Sequence, residues 1–355
     1  MASPITTTSQ IAGPVNVVFQ VTLLKNAHAR CPYYVGTTPA AIEFNRGSFT
    51  AKWRRIENLT PVTAALSELT GNVAFPTRNA VQPSVTDVTK AVAKYGNYIL
   101  LNEETDLVNF NGQADKLMEV LGINAGQSLN RIQRNEVEDN STLVQSSGAA
   151  NDPATTTALQ LNDIRNVVNV LDRNSGTTFT AAALGDTKFN TAPVRASYWG
   201  ICHSDVEWDI RGMAGFVDVV SYGGQTYTAP GEFGFAGGAR WISTPEASID
   251  ADIGGGNSAL RGTTDPATNI DLYTSVVFGM NAVGSLGFGR EHVKEIYSAG
   301  DKLPAVITIK KDFGSSGVAD PFDELSSLGW KSWAGGKILN SDWIRGIRSG
   351  ATALS

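Results

Sequence analysis

Few places in this 355-residue chain gather side chains capable of chemistry. The densest is Lys52-Trp53-Arg54-Arg55, three cations set around one indole. Such a set can grip phosphate while the ring stacks on a base. It can equally engage carboxylates, because the planar guanidinium fork matches their geometry bidentately. A solvated strand face is the third reading. Which chemistry operates depends on what the cluster faces, since four residues in an acidic chain do not specify a nucleic-acid site by themselves.

Other candidates fail on spacing. Asp250-Ala-Asp-Ile-Gly-Gly-Gly256 opens like a calcium loop, but Gly254 stands where a third oxygen ligand belongs and Arg261 where the bidentate glutamate should be. A flexible loop is expected there. Gly336-Lys337 lacks both the upstream glycine and the following Ser/Thr of a phosphate loop. Gly234–Gly238 has no strand–GxGxxG–helix context and reads as a turn. His28, His203 and His292 are scattered, with His203 placed to cap a short helix. Glu103 and Glu104 are adjacent on a strand, so they point to opposite faces and make no acid/base pair. Cys31 and Cys202 read as buried free thiols. No catalytic residue, metal or cofactor is expected.

The elements that carry the basic cluster are legible from their periods. Phe49–Ile56 alternates as a strand, with Phe49, Ala51 and Trp53 on one face and Thr50, Lys52 and Arg54 on the other. A tip from Glu57 to Pro83 follows, broken by Pro61, Gly71, Pro76 and Pro83. The return strand is Val85–Leu101. The period then changes: Leu117, Met118, Leu121, Ala125, Leu129 and Ile132 are spaced by three and four, which predicts a helix over Asp106–Asn140. Gly122 and Gly126 within it each cost about 1 kcal/mol relative to alanine and mark a bend or close approach.

Ser141–Thr157 reads as a linker. Beyond it, Asn162 is a plausible N-cap for a helix burying Ile164, Val167, Val168 and Leu171. Strands are expected at Arg195–Ile201, Arg240–Ser243, Tyr273–Met280, Val306–Lys310 and Trp330–Arg345, with a short helix at Ser204–Arg211. The first 24 residues hold no Asp, Glu, Lys or Arg, and Val15, Val17, Val18, Phe19 and Val21 suggest an extended arm. An ordinary edge strand of the core is the alternative.

Composition narrows the function classes. At 355 residues the chain exceeds one ordinary domain. Net charge is −6, which argues against non-specific coating of nucleic acid. Charged residues are 17 %, below the usual quarter, and with 36 glycines this fits a surface largely covered by neighbours, a balance that many secreted β-proteins share. No stretch supplies about 20 apolar residues for a membrane span, and no secretory signal is expected, since Ile11–Leu24 lacks a cationic lead-in.

The blocks Phe49–Arg55, Leu59–Leu66, Leu161–Val168, Tyr198–Val206, Gly231–Trp241, Asp320–Phe322 with Leu328–Lys331, and Lys337–Asn340 occur in an order that resembles the major capsid proteins of tailed bacteriophages, specifically the N4-like family. The resemblance spans residues 35–348. It implies the α+β Hong Kong 97-type capsid fold: an N-terminal arm (1–40), an extended hairpin loop (41–101), a peripheral domain with a spine helix (102–157), an axial domain (158–305) and peripheral return strands (306–355). It implies a virion protein made in the bacterial cytoplasm, self-assembling into hexamers and pentamers around double-stranded DNA that it touches only weakly. Portal, scaffolding and decoration proteins would be its other partners. The basic cluster then becomes an intersubunit contact comprising Lys52, Trp53, Arg54, Arg55, Glu57, Glu68 and Lys94. A nanocompartment shell of the same fold, encapsulin-like, is one rival reading. A soluble enzyme with an unrecognised site is the other, disfavoured because no titratable cluster emerges.

Overall fold

A computed structural model of the chain describes residues 31–40, 50–57, 59–63, 82–104, 113–146, 156–179, 196–222, 229, 231–286, 306–314 and 322–354. The strands are β1 (Thr38–Pro39), β2 (Thr50–Ile56), β3 (Val85–Ala91), β4 (Ala93–Asn102), β5 (Thr142–Gln145), β6 (Tyr198–His203), β7 (Val217–Asp218), β8 (Glu232–Ala236), β9 (Ala239–Thr244), β10 (Ile249–Gly255), β11 (Asn269–Phe278), β12 (Val283–Ser285), β13 (Ile307–Lys311), β14 (Leu325–Ala334), β15 (Gly336–Ile338) and β16 (Ile344–Ser349). The helices are α1 (Gln113–Asp139), α2 (Leu161–Arg173) and α3 (Glu207–Arg211).

The central sheet runs β5-β16-β11-β6-β9-β8-β7, with β10 beside the first half of β11. Its middle strands are apolar on both faces because both are covered. Tyr198, Cys202, Trp241, Tyr273 and Val277 face α2, which buries Ile164, Val167 and Leu171 against them. The alternate residues Trp199, Ile201, Ile242, Val276 and Phe278 face the opposite way, toward Tyr33 and Val137 of α1. At α2 the cap is Gln160 instead of the expected Asn162: its backbone N–H donates to the Asp163 carboxylate at 3.0 Å.

Gly234–Gly238, read as a turn, is mostly strand β8; only Gly237 and Gly238 turn, with φ of +65° and +103°. A Cβ on Gly237 would stand 2.5 Å from Ile164 Cγ2, so the bare turn lets the β8–β9 hairpin press on α2. Across that hairpin Arg240 donates from Nε to Glu232 Oε1 and from Nη2 to Oε2, both at 2.6 Å, with the side chains only 4 % and 0 % exposed. The Ala229 N–H supplies a further bond to Glu232 Oε2 at 3.0 Å, and the guanidinium lies 4.7 Å above the Trp199 ring. The pair is therefore satisfied on both sides, the condition under which burying two charges is tolerable.

Helix α1 has two buried faces. Met118, Leu121, Ala125 and Leu129 pack on the sheet β13-β14-β4 against Val306, Leu328, Trp330 and Ala334. The other face is mostly polar and meets the central sheet, with Val137 its buried apolar residue. Asn130 Oδ1 accepts the Tyr33 N–H at 3.1 Å, and Gln133 Nε2 donates to the Gly284 carbonyl at 3.4 Å. Glu138 accepts from the Tyr33 hydroxyl and, at 3.3 Å, from the Ser248 N–H. Glu246 takes Arg131 Nε at 2.7 Å and Gln127 Nε2 at 3.0 Å, while its carbonyl takes Arg134 Nη1 at 2.8 Å. The start of the expected helix, at Asp106, lies outside the described residues.

Several expected boundaries move. The return strand breaks at Val92, whose side chain is buried with Trp53, so β3 pairs β2 while β4 joins β14. The single strand expected over Trp330–Arg345 is three pieces in three sheets: β14 beside β4, β15 beside β12, and β16 inside the central sheet. The linker expected after α1 contains β5, which pairs β16 in parallel, and the loop expected at Asp250–Gly256 is mostly β10.

The buried pair yields a stability test. Glu232→Gln leaves the Arg240 charge buried without its counter-charge and should cost the free subunit about 3–5 kcal/mol. The double change Glu232→Leu with Arg240→Leu should cost much less, because it buries no charge. Denaturant unfolding of the unassembled chain measures both; equal losses for the two variants would show that the ionic pairing is not what the site depends on.

Candidate interaction site on the projecting hairpin

Antiparallel pairing of β2 with β3 places Trp53 opposite Val88, Arg54 opposite Asp87 and Ile56 opposite Val85. Ala51 and Trp53 point inward and are buried with Val92 and Leu286, flanked by Leu339 and Trp333. Trp53 Nε1 donates to the Thr38 carbonyl at 3.3 Å, and its ring lies so close to Gly284 that a Cβ there would approach Cε2 to 2.7 Å. Trp53 is thus the root that anchors the hairpin in its own chain. The intersubunit role expected for it does not fit a side chain 4 % exposed.

The cations find carboxylates within the hairpin. Lys52 Nζ lies 2.5 Å from Asp87 Oδ2, and Arg54 Nε donates to Oδ1 at 3.0 Å with Nη2 to Oδ2 at 3.4 Å. Arg55 donates to Glu57 Oε1 from Nε at 2.8 Å and Nη2 at 2.6 Å, and from Nη1 to the Leu339 carbonyl at 2.9 Å. Thr86 Oγ1 adds a bond to Glu57 Oε1 at 2.8 Å. Hydrogen bonds from Arg54 and then Lys52 hold the Asp87 carboxyl down to about 2. Those from Arg55 and then Thr86 lower Glu57. At the root, Glu136 of α1 receives Lys90 Nζ at 2.6 Å and lies 3.2 Å from Lys337 Nζ. Lys94 is exposed on β4, opposite Trp333, apart from this network. Glu68 lies outside the described residues.

Asp87, Glu136 and Lys337 are the residues that sequence reasoning missed. The signal for Asp87 was its place on the return strand, where cross-strand opposite charges are favoured; an irregular tip between the strands left the register open. Among its described residues the hairpin exposes four large apolar side chains, Ile56, Leu59, Val62 and Val85, at 51–67 %, beside polar ones such as Thr60, Thr63, Ser84 and Thr86.

The other candidates are structural. Asp250 receives Arg348 Nη2 at 2.9 Å and Asp252 receives Thr264 Oγ1 at 2.6 Å, so the would-be calcium carboxylates serve as hairpin ties. His203 is buried, and burial lowers its pKa against the opposing pull of Asp205 and a bond to the Pro245 backbone. Its Nδ1 accepts the Asp205 N–H at 3.1 Å, so the Asp205 carboxylate 3.3 Å away faces a neutral ring and not an imidazolium. Neither Cys31 nor Cys202 is in a disulfide; the first is partly exposed, and burial pushes its thiol up to about 11. Among the described residues no group of three or more His, Cys, Asp or Glu stands where it could hold a metal, and no helix is long and apolar enough to cross a membrane.

Asp87 gives a pH test. Its folded pKa is depressed below the ordinary 3.8, so its contribution to hairpin pairing is complete above that value and is lost as pH falls toward about 2. Titration of the Asp87 carboxyl by NMR in the free subunit should have its midpoint near 2, and Arg54→Ala should move it upward. A midpoint that does not respond to Arg54→Ala would remove that arginine from the pairing.

No protein-family model and no curated protein matches this chain. Solved structures do. The capsid of Ralstonia phage GP4 superposes with a TM-score of 0.60 at 9 % identity, covering 90 % of this chain and 88 % of that one. The head structure of Helicobacter pylori bacteriophage KHP40 superposes with a TM-score of 0.50 at 12 % identity, covering 88 % of each chain. Identity so low speaks to backbone architecture alone, and there the agreement runs over nearly the whole length. The central sheet, the long helix on its own small sheet and the projecting hairpin together make up the α+β Hong Kong 97-type capsid fold.

Proposed function

We propose that this chain is the major capsid protein of a tailed bacteriophage of the N4-like kind. Its copies join as hexamers and pentamers into an icosahedral head around double-stranded DNA. The observation that carries the proposal is the hairpin: among its described residues Lys52, Arg54 and Arg55 pair internally with Asp87 and Glu57, while Ile56, Leu59, Val62 and Val85 are left in water. A projection of this kind gains from a neighbour, because covering apolar surface is favourable at about 25 cal/mol per Å². The N4-like assignment rests on the ordered sequence blocks. In this reading residues 41–101 form the extended loop and 1–40 the arm. Helix α1 and its sheet form the periphery, and the central sheet faces the capsomer axis. The last segment, 306–355, serves both, since β13 and β14 lie on α1 while β16 belongs to the central sheet.

A net charge of −6 suits an inner wall that leaves DNA free to move, with only weak, salt-sensitive contact. No catalytic or cofactor role is assigned to any residue. Portal, scaffolding and decoration proteins are the further partners this role requires or admits. Lys94, exposed beside the hairpin root, is the candidate cation for an intersubunit pair; Arg54 and Arg55 would have to exchange Asp87 or Glu57 for a neighbour's carboxylate.

Electron microscopy of the purified protein, with analysis of particle contents, tests the role. Closed particles with fivefold and sixfold capsomers that take up DNA are expected. Particles that instead enclose protein cargo would support a nanocompartment, and a protein that stays monomeric would exclude a shell. The double change Ile56→Asp with Val85→Lys, which sets opposite charges across the strand pair, should abolish closed particles while shifting subunit stability by no more than about 0.5 kcal/mol, as for exposed sites generally. Normal particles from that variant would remove the hairpin end from assembly.

A further inference from the structure

Where β6 ends, the chain turns into α3 around the buried ring of His203. Its Nδ1 accepts the Asp205 N–H at 3.1 Å, and the Val206 N–H closes the turn on the His203 carbonyl at 3.1 Å. The other ring nitrogen donates to the Pro245 carbonyl, just past β9. The Asp205 carboxylate is shared by two neighbours: Oδ1 accepts Arg261 Nη1 at 2.6 Å, and Oδ2 accepts the Tyr273 hydroxyl at 3.0 Å. This turn is tied to the segment after β16 from two sides. On α3, Asp209 Oδ2 accepts the Thr352 N–H at 3.0 Å. On the loop after β10, the Arg261 N–H donates to the Ala351 carbonyl at 2.8 Å, and the Ala259 carbonyl accepts the Ala353 N–H at 3.1 Å. Ala351 is fully buried, whereas Thr352, Ala353 and Leu354 are exposed. With so little apolar surface covered, these backbone bonds are the main hold on residues 351–354.

The groups around the ring set its response to acid. Asp205 lies 3.3 Å from Nδ1 and favours a charge there, while Arg261, on the other oxygen of that carboxylate, opposes one. Tyr273, its ring centroid 5.1 Å away, is uncharged, because burial and then Asp205 and Asp271 push its hydroxyl up. On α3, Glu207 is engaged by Arg211 Nε at 2.8 Å. Burial outweighs the pull of Asp205 and lowers the ring below its ordinary 6.5.

A proton arriving at Nδ1 converts the ring's acceptor into a donor. The Asp205 N–H then loses its partner, and the adjacent carboxylate becomes the counter-ion within reach. We infer that His203 is an acid-operated latch: when solvent protonates Nδ1, the Asp205 carboxylate leaves Arg261 and Tyr273 for the imidazolium, the turn into α3 opens, and residues 351–354 are released. A ring held neutral in the folded chain and ordinary in the unfolded one supports the closed turn fully above 6.5, and that support is lost as pH falls below it. The latch is a property of the subunit by itself and goes beyond the shell-forming role.

Amide hydrogen exchange of the full-length subunit, corrected for intrinsic rates, reads the latch beside an NMR titration of the His203 ring. Protection at Asp205, Thr352 and Ala353 should fall about tenfold between about pH 7 and pH 5, with the same midpoint as the imidazole. His203→Gln, which takes up no proton in this range, should keep Thr352 and Ala353 protected at both ends of it. Protection that stays constant while the ring titrates would overturn the inference. So would a midpoint that follows a carboxylate in place of the ring, since that would assign the change to Asp209. Loss that persists in His203→Gln would overturn it as well. The coincidence of midpoints is read in the wild-type chain, so the test stands even where the variant does not fold.

Discussion

Everything else in the molecule depends on α1 being buried on two sides by two different kinds of contact. Toward its own small sheet the contact is apolar, with Met118, Leu121, Ala125 and Leu129 spaced as one stripe. Toward the central sheet it is mostly polar and made in discrete bonds, with Val137 the apolar exception. Glu246 gathers Gln127 and Arg131, Asn130 holds the Tyr33 backbone, and Glu138 holds the Tyr33 hydroxyl and Ser248. An apolar stripe on both sides would have merged the two sheets into one undivided core. The polar seam instead fixes angle and register by bonds whose loss would leave buried groups unpaired. The stretch Cys31–Ala40 then straps the seam, running from Gly126 across Asn130 and Glu138 to β12, where Thr38 and Pro39 pair.

The hairpin inherits its position from the same helix. Glu136 reaches Lys90 on the return strand and Lys337 beyond β14, so one carboxylate ties helix, hairpin and sheet at a single point. Trp53 fills the space beside it, in a slot that Gly284 keeps open. Beyond this root the strands hold together by cross-strand charge. Exposed ion pairs of this sort contribute little to stability. Their consequence lies in what they remove from the surface: the cations are engaged, and Ile56, Leu59, Val62 and Val85 stay exposed beside them. A root fixed in the core beside exposed apolar side chains suits a geometric role better than a chemical one.

How much of this was legible in the sequence follows from what kind of signal each part leaves. The apolar stripe of α1 repeats every three to four residues and was read directly; Met118, Leu121, Ala125 and Leu129 are all buried as the period requires. The polar face was not, because Asn130, Gln133 and Glu138 are ordinary solvent-facing residues until a second sheet is laid on them. The strand Phe49–Ile56 was legible by alternation, yet its partner Asp87 was hidden by an irregular tip of unknown register. Glycine misled in both directions. Gly234 and Gly254 read as turn and loop in the sequence but belong to strands, where a Cβ would strike Phe216 and Ile270. Gly335 marks a break between two sheets that a single strand had been drawn through. Tertiary contacts, absent from any local window, decide each of these cases.

The proposed shell-forming role requires that Ile56, Leu59, Val62 and Val85 be covered by another copy while the subunit core is complete by itself. Hydroxyl-radical footprinting of the free subunit and of assembled particles addresses it most directly. Ile56, Leu59, Val62 and Val85 should be oxidised readily in the free subunit and protected in particles, with buried Trp241 unreactive in both. Equal oxidation of the hairpin end in the two states would contradict the account.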